Sequence, residues 1–238
     1  MAETDQLSAV LLNCSLKSDS TESHTRRLLE RIQGIMKAEG VDVELIHMLD
    51  HHVAFGMVMD ATENGAAVDD WPAIQAKIMD ADIFVIGSPI WLGMKSSVAT
   101  LAVERLYAYS AETNDKGQYL YYGKTAGCVI TGNEDGVKAC SMDILYAMQH
   151  IGFAVPPQAD CGWLGDIGPG PSYGDEVEGQ DSPAGYDSEF TNKNATYMTW
   201  NLMHMATMLK ANGGIPAKGN TADSWQQVSN ATQFEPTS

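Results

Sequence analysis

Apolar residues along this chain alternate between two spacings. Short continuous runs recur at Ala9 to Asn13 (AVLLN), Val41 to Ile46, Asp82 to Gly87 (DIFVIG) and Thr125 to Thr131 (TAGCVIT), as expected of strands covered on both faces. Between them, apolar residues return at one-face helical intervals. Leu28, Leu29, Ile32, Ile35 and Met36 mark a helix from His24 to Glu39 that Gly40 stops. Trp71-Pro72 opens a short helix carrying Ile74 and Ile78, and Val98, Leu101, Ala102 and Leu106 give another from Ser96 to Ser110. Val137, Cys140, Ile144, Met148 and Ile151 form a further face, and Met198, Leu202, Met205 and Leu209 mark a last helix from about Thr191 to Ala211. Val155 to Trp163 reads as a fifth strand that Pro156 and Pro157 push to an edge or delay. Strands alternating with helices at this rhythm predict an α/β fold built on a doubly wound, five-stranded parallel sheet with right-handed crossovers and helices on both faces.

The segment 162–192 leaves that rhythm. It holds seven glycines, three prolines and several acids but no Lys or Arg, and it reads as a long loop, either a lid or a solvated insertion. Residues 1–212 are expected to form a single domain extended at its C-terminus by this loop and the last helix, with 213–238 a polar tail that is frayed or lies on a partner subunit. At 238 residues with 44% apolar content, the chain can bury a real core. No apolar run approaches the ~20 residues of a membrane span, and MAETDQLSAV has neither the basic region nor the apolar core of a signal peptide, so a cytoplasmic protein without a membrane partner is expected. Fourteen basic against 31 acidic residues give a formal charge of -17, which disfavours nucleic acid as a partner. Cys14, Cys128, Cys140 and Cys161 show no CxxC spacing, so neither a structural zinc nor a disulfide framework is expected. His47, His51 and His52 cluster with Asp50 where a strand runs into a loop, and a chance cluster is favoured there over a metal site.

In a doubly wound sheet, ligands sit outside the carboxyl ends of the strands. The loop after the first strand, Cys14 to Thr25, offers Ser15, Ser18, Ser20, Thr21, Ser23 and Thr25 as hydroxyl donors, Lys17 as a cation and free amides at the start of the next helix. A phosphate monoester suits it; the same residues also cap helices and decorate turns in proteins with no ligand. Neither Gly165-Asp-Ile-Gly168-Pro-Gly170 nor Gly123-Lys124-Thr125 has the strand-loop-helix setting of a nucleotide motif. After the third strand, Gly87-Ser-Pro-Ile-Trp-Leu-Gly-Met-Lys-Ser96 presents flat apolar surface at Trp91 and Leu92, which suits a planar ring; Trp91 could instead be core, but its place in a Pro- and Gly-flanked loop at a strand's end favours the ligand wall. After the fourth, Thr131-Gly-Asn-Glu-Asp-Gly136 offers donors and acceptors to a ring's heteroatom edge.

From about Leu7 to Trp163 these residues resemble the flavodoxin-like flavoproteins, within them the NAD(P)H-dependent FMN reductase and quinone reductase group. The carriers are Cys14-Ser15-Leu16-Lys17 with Ser23-His24-Thr25 opening a helix, and the strand-ending Gly87-Ser-Pro-Ile-Trp-Leu-Gly-Met. The resemblance implies strand order 2-1-3-4-5, FMN as cofactor and NAD(P)H as transient co-substrate. Carried over by position, it implies that Ser15, Lys17, Ser23, His24 and Thr25 contact the FMN phosphate. Pro89, Ile90, Trp91, Leu92 and Gly93 would border the isoalloxazine and ribityl chain, and Thr131, Gly132, Asn133 and Gly136 would line the ring's polar edge. The chain departs from the group in having Cys14 where a Gly is usual, a longer first loop, and the acidic segment after Trp163. Hydride chemistry would belong to the flavin, so no catalytic side chain is expected. The implied activity is reduction of a small acceptor such as a flavin or quinone by an NAD(P)H-dependent homodimer or homotetramer. The alternative is a flavodoxin-like electron carrier, whose negative charge would guide docking.

Overall fold

The computed structural model describes residues 6–168 and 170–226. In chain order the elements are β1 (Ser8–Asn13), α1 (His24–Ala38), β2 (Asp42–His47), α2 (Trp71–Asp80), β3 (Ile83–Trp91), β4 (Met94–Lys95), α3 (Ser97–Tyr107), β5 (Thr125–Gly132), α4 (Val137–Ile151), β6 (Asp160–Leu164), α5 (Glu189–Ala211) and α6 (Ala222–Gln226). The five long strands are parallel in the order β2-β1-β3-β5-β6, with β4 folded back antiparallel onto β3. Counted without β4, this is the expected 2-1-3-4-5 order of a flavodoxin-like sheet.

Continuous apolar strands follow from burial on both faces. In β1, Val10 and Leu12 join the core shared with α2, α3 and α4, whereas Ala9 and Leu11 join the core shared with α1 and α5. Phe84 and Ile86 of β3 oppose Ile83 and Val85 in the same way. Burying a Leu or Ile side chain stabilises by about 1.5–3 kcal/mol, so these alternating rows hold the helices against both faces.

Three boundaries differ from the sequence expectation. β3 runs past Gly87 to Trp91, because Ser88 and Pro89 stay in register with Ile130 and Thr131 of β5. Its end then turns back through Leu92 (φ 51°) and Gly93 (φ 76°) to pair Trp91 with Met94, so part of the expected loop is a tight hairpin. β6 starts only at Asp160, after Pro156-Pro157, although Ala154 makes one bridge to Thr125. Residues 213–226 lie on their own chain: the Gln118 amide donates to the carbonyls of Ile215 (3.3 Å) and Pro216 (3.2 Å), and Lys116 donates to Gly213 O. The remainder of the expected tail, 227–238, is outside the described residues.

The segment between β2 and α2 leaves the sheet at its carboxyl edge and is tied down by a buried ion pair. Arg105 of α3 and Asp69 are both fully buried, 2.6 Å apart, and Arg105 also donates to the carbonyls of Ala54 (2.7 Å) and Met59 (3.2 Å). Among the described residues no helix is long and apolar enough to cross a membrane.

Candidate functional site

The loop after β1 is fastened before it reaches any ligand. Cys14 N donates to Gly87 O at 2.8 Å, and the Ser96 hydroxyl donates to Cys14 O at 2.7 Å, tying the loop to β3 and to the start of α3. Ser15 N donates to the Asn13 side-chain oxygen (3.3 Å), and Lys17 N donates to the Ser15 hydroxyl (3.2 Å). Ser23 caps α1, its hydroxyl accepting from Arg26 N at 3.1 Å. The free amides and the positive end of α1 therefore face the carboxyl edge of the sheet.

The loop after β1, the carboxyl end of β3, and the end of β5 with its loop converge there on a cavity of about 760 Å³. Ser15, Lys17, His24 and Thr25 line one part of it, Pro89, Ile90 and Trp91 another, and Thr131, Gly132 and Asn133 a third. Thr25 and Thr131 share a buried hydroxyl hydrogen bond of 2.7 Å, joining the start of α1 to the end of β5. The acidic segment supplies the remaining wall through Ile167, Gly168, Ser172 and Tyr173. Part of the expected loop is thus a roof over the cavity.

Four contacts latch that roof. The Asn133 amide donates to Pro171 O at 2.9 Å, while its oxygen accepts from the Ser172 hydroxyl at 2.9 Å. His24 Nδ1 lies 3.1 Å from Tyr173 O and donates to it, since a carbonyl only accepts. Arg27 pairs with Asp175 at 3.1 Å. Beneath the latches, the Tyr173 ring is fully buried edge-on to Trp163 and tilted against Tyr186, and burial pushes its hydroxyl up to about 12. Asn133, expected at a ring edge, lines the cavity with both ends of its side chain committed to the roof.

Four expected residues do not line the cavity. Ser23 is fully buried, capping α1 and bonding Asn13. Leu92 and Gly93 are the hairpin tip beyond the wall; Leu92 is 86% exposed, and its amide donates to Glu134 Oε1 at 2.7 Å. Gly136 is at the back of the third loop, where a Cβ would lie 2.8 Å from Gly93 Cα and 2.9 Å from Gly93 O. At φ 137° its backbone also disfavours any side chain. Gly136→Ala therefore drives two loops apart and is expected to cost roughly 1–3 kcal/mol in urea unfolding and to weaken flavin binding in parallel. A variant with wild-type unfolding and binding would show that the close approach is dispensable.

Sequence reasoning missed Leu16, Glu134, Ile167, Gly168, Ser172 and Tyr173 as lining residues. Leu16 and Glu134 lie within the two loops already singled out. The roof residues belong to a stretch without periodicity, and only the tyrosines among its glycines and prolines hinted that it packs. The cavity fits FMN by the chemistry of its donors: amides, hydroxyls and Lys17 for a phosphate, a flat apolar wall at Trp91, and a volume within the usual range for one small ligand.

The comparisons with known proteins identify the family. The family model described as NADPH-dependent FMN reductase matches residues 7–162. A Mycobacterium bovis protein named divalent metal cation transporter MntH is 48% identical over 229 residues, covering 92% of this chain; the chain spans only a third of that relative's length. The 8-demethyl-8-aminoriboflavin-5'-phosphate synthase of Streptomyces davaonensis is 34% identical over 210 residues, 86% of this chain and 79% of that protein. A crystal structure of RosB with bound 8-demethyl-8-formylriboflavin-5'-phosphate, named as an intermediate, superposes with a TM-score of 0.81 at 31% identity, covering 95% of this chain and 89% of that one.

Proposed function

The chain belongs to the NADPH-dependent FMN reductase family, and from that premise we propose that it passes hydride from a reduced nicotinamide, through FMN, to a small acceptor such as a flavin or quinone. The observation that carries this reading is the convergence of three strand ends and their flanking segments on one cavity with a cationic, hydroxyl-rich part and an aromatic wall. FMN, when bound, supplies the hydride chemistry. Lys17 and His24 hold the phosphate together with the hydroxyls of Ser15 and Thr25. Pro89, Ile90 and Trp91 border the ring, and Thr131 and Gly132 meet its polar edge.

The purified protein is expected to be yellow, with flavin bands that bleach on adding NADPH or NADH and recover on adding an acceptor. Bands untouched by either nicotinamide would select a flavodoxin-like electron carrier, and failure to take up FMN would remove both readings. The same proposal includes a homodimer or homotetramer: Trp91 and Leu92, 54% and 86% exposed beside the cavity, are apolar surface a second copy would cover.

A second reading has one observation in its favour. The similarity to the aminoriboflavin phosphate synthase spans 86% of this chain, which requires it to run past residue 162, where the reductase family model ends, into the roof and α5. In that reading the bound flavin phosphate is substrate rather than cofactor. Mass spectrometry of the flavin recovered after turnover separates the two, since a reductase returns FMN of unchanged mass. Metal transport belongs to the name of a protein of which two thirds lies outside the match, and is not assigned to this chain.

A further inference from the structure

His47 ends β2 on the rung that pairs it with Asn13, the last residue of β1, and it is 97% buried. The orientation of the Asn13 amide is fixed by its neighbours: Ser15 N can only donate, so the oxygen 3.3 Å away accepts from it. The Asn13 nitrogen therefore faces His47 Nδ1, 2.9 Å away, and donates to it. A ring nitrogen that accepts carries no proton, so the proton is on Nε2, which donates to Lys17 O at 2.9 Å. One neutral tautomer thus satisfies every partner. Its two nitrogens hold the cavity-lining start of the first loop on either side of Leu16: Lys17 directly, and Ser15 through Asn13. Ser23, the cap of α1, bonds the same Asn13 side chain at 3.2 and 3.3 Å.

Resting on the FMN reading, we infer that His47 is a positioning residue for the phosphate half of the flavin: by locking the first loop and the start of α1 in their anion-binding arrangement, it sets the preference for FMN over riboflavin. It touches no ligand itself. The ring-bordering residues Pro89, Ile90 and Trp91 belong to β3, and among the described residues the His47 side chain bonds only Asn13 and Lys17, not these residues. A preorganised cradle binds more tightly because the ligand does not have to order it, so the loss of this lock falls chiefly on the phosphate.

The test is a pair of near-isosteric replacements. Glutamine reaches the Nε2 position and keeps the donor to Lys17 O, whereas asparagine stops at the Nδ1 position and loses it. Full-length wild type, His47→Gln, His47→Asn and His47→Leu are equilibrated with FMN or with riboflavin, and binding is read from flavin fluorescence, with thermal melts alongside. His47→Asn and His47→Leu are expected to weaken FMN by about tenfold with riboflavin unchanged, while His47→Gln keeps the preference for FMN. If the asparagine and glutamine variants lose FMN and riboflavin in parallel, or both keep the wild-type preference, the role of His47 is structural and the inference falls while the FMN reading stands. If wild type itself takes up no FMN, both fall together. Should the leucine variant not fold, the asparagine and glutamine pair decides alone.

Discussion

Arg105→Met is expected to lower the melting temperature by roughly 10–15 °C. The substitution leaves the fully buried Asp69 carboxylate without its cation and strips donors from the carbonyls of Ala54 and Met59. Breaking a buried ion pair from one side costs about 3–5 kcal/mol, and each kcal/mol moves the melting point of a chain this long by about 2–4 °C. The double variant Arg105→Met/Asp69→Leu is expected to recover part of the loss, because no lone charge remains. A single variant that melts with wild type would show that the pair contributes nothing.

The same pair gives a pH dependence. Burial by itself would push the Asp69 carboxyl up, but hydrogen bonds from Arg105 and from the amides of Ala61, Trp71 and Ala54 outweigh it and hold the group below its ordinary value. A carboxyl depressed in the folded state stabilises the fold fully above the ordinary carboxylate value of about 4, and that contribution is lost as pH falls below it. Acid unfolding of wild type should therefore steepen below about pH 4, and the double variant should lack that component.

Asn133→Asp is expected to speed flavin release by about 10–100-fold, with no comparable change in melting temperature. The native amide donates to Pro171 O; a carboxylate in its place turns an acceptor toward an acceptor at 2.9 Å. Losing one such bond and facing the carbonyl with charge costs about 1.5–3 kcal/mol, which is the stated range in rate when it falls on the closed roof. The remaining latches, His24 on Tyr173 O and Arg27 on Asp175, keep the roof from unfolding. Stopped-flow dilution of the flavin-loaded protein measures the release, and hydrogen exchange over 170–175 reports the opening. Release at the wild-type rate would mean that the roof does not gate the cavity.

Much of the site was legible because it depends on where strands end. A run such as AVLLN buried on both faces marks a strand, and a parallel sheet brings the ends of its strands to one edge, so Ser15, Lys17, Thr25, Trp91 and Thr131 could be grouped from sequence. Trp91 itself could not be settled by pattern: it is in β3 yet half exposed, a position decided by the hairpin turn at Leu92. Ser23 looked like a phosphate ligand because hydroxyls cap helices and bind anions through the same geometry; only its burial against Asn13 tells the two apart. His47 was part of an apparent chance cluster with His51 and His52, since the pairing that turns it inward toward Asn13 is a property of the β1–β2 register.

By itself the sequence determined the periodic part of this protein: strand and helix order, the parallel doubly wound sheet, and the edge at which a ligand sits. Those follow from hydrophobic spacing, which acts locally and repeats. The tertiary structure alone decided what the aperiodic segments do: that Ile167, Gly168, Ser172 and Tyr173 roof the cavity, that Asn133 holds the roof there, that Gly136 backs against Gly93, and that Asp69 meets Arg105 across the fold. Such contacts join residues tens of positions apart through single hydrogen bonds and close approaches, and they leave no period in the chain from which they could be read.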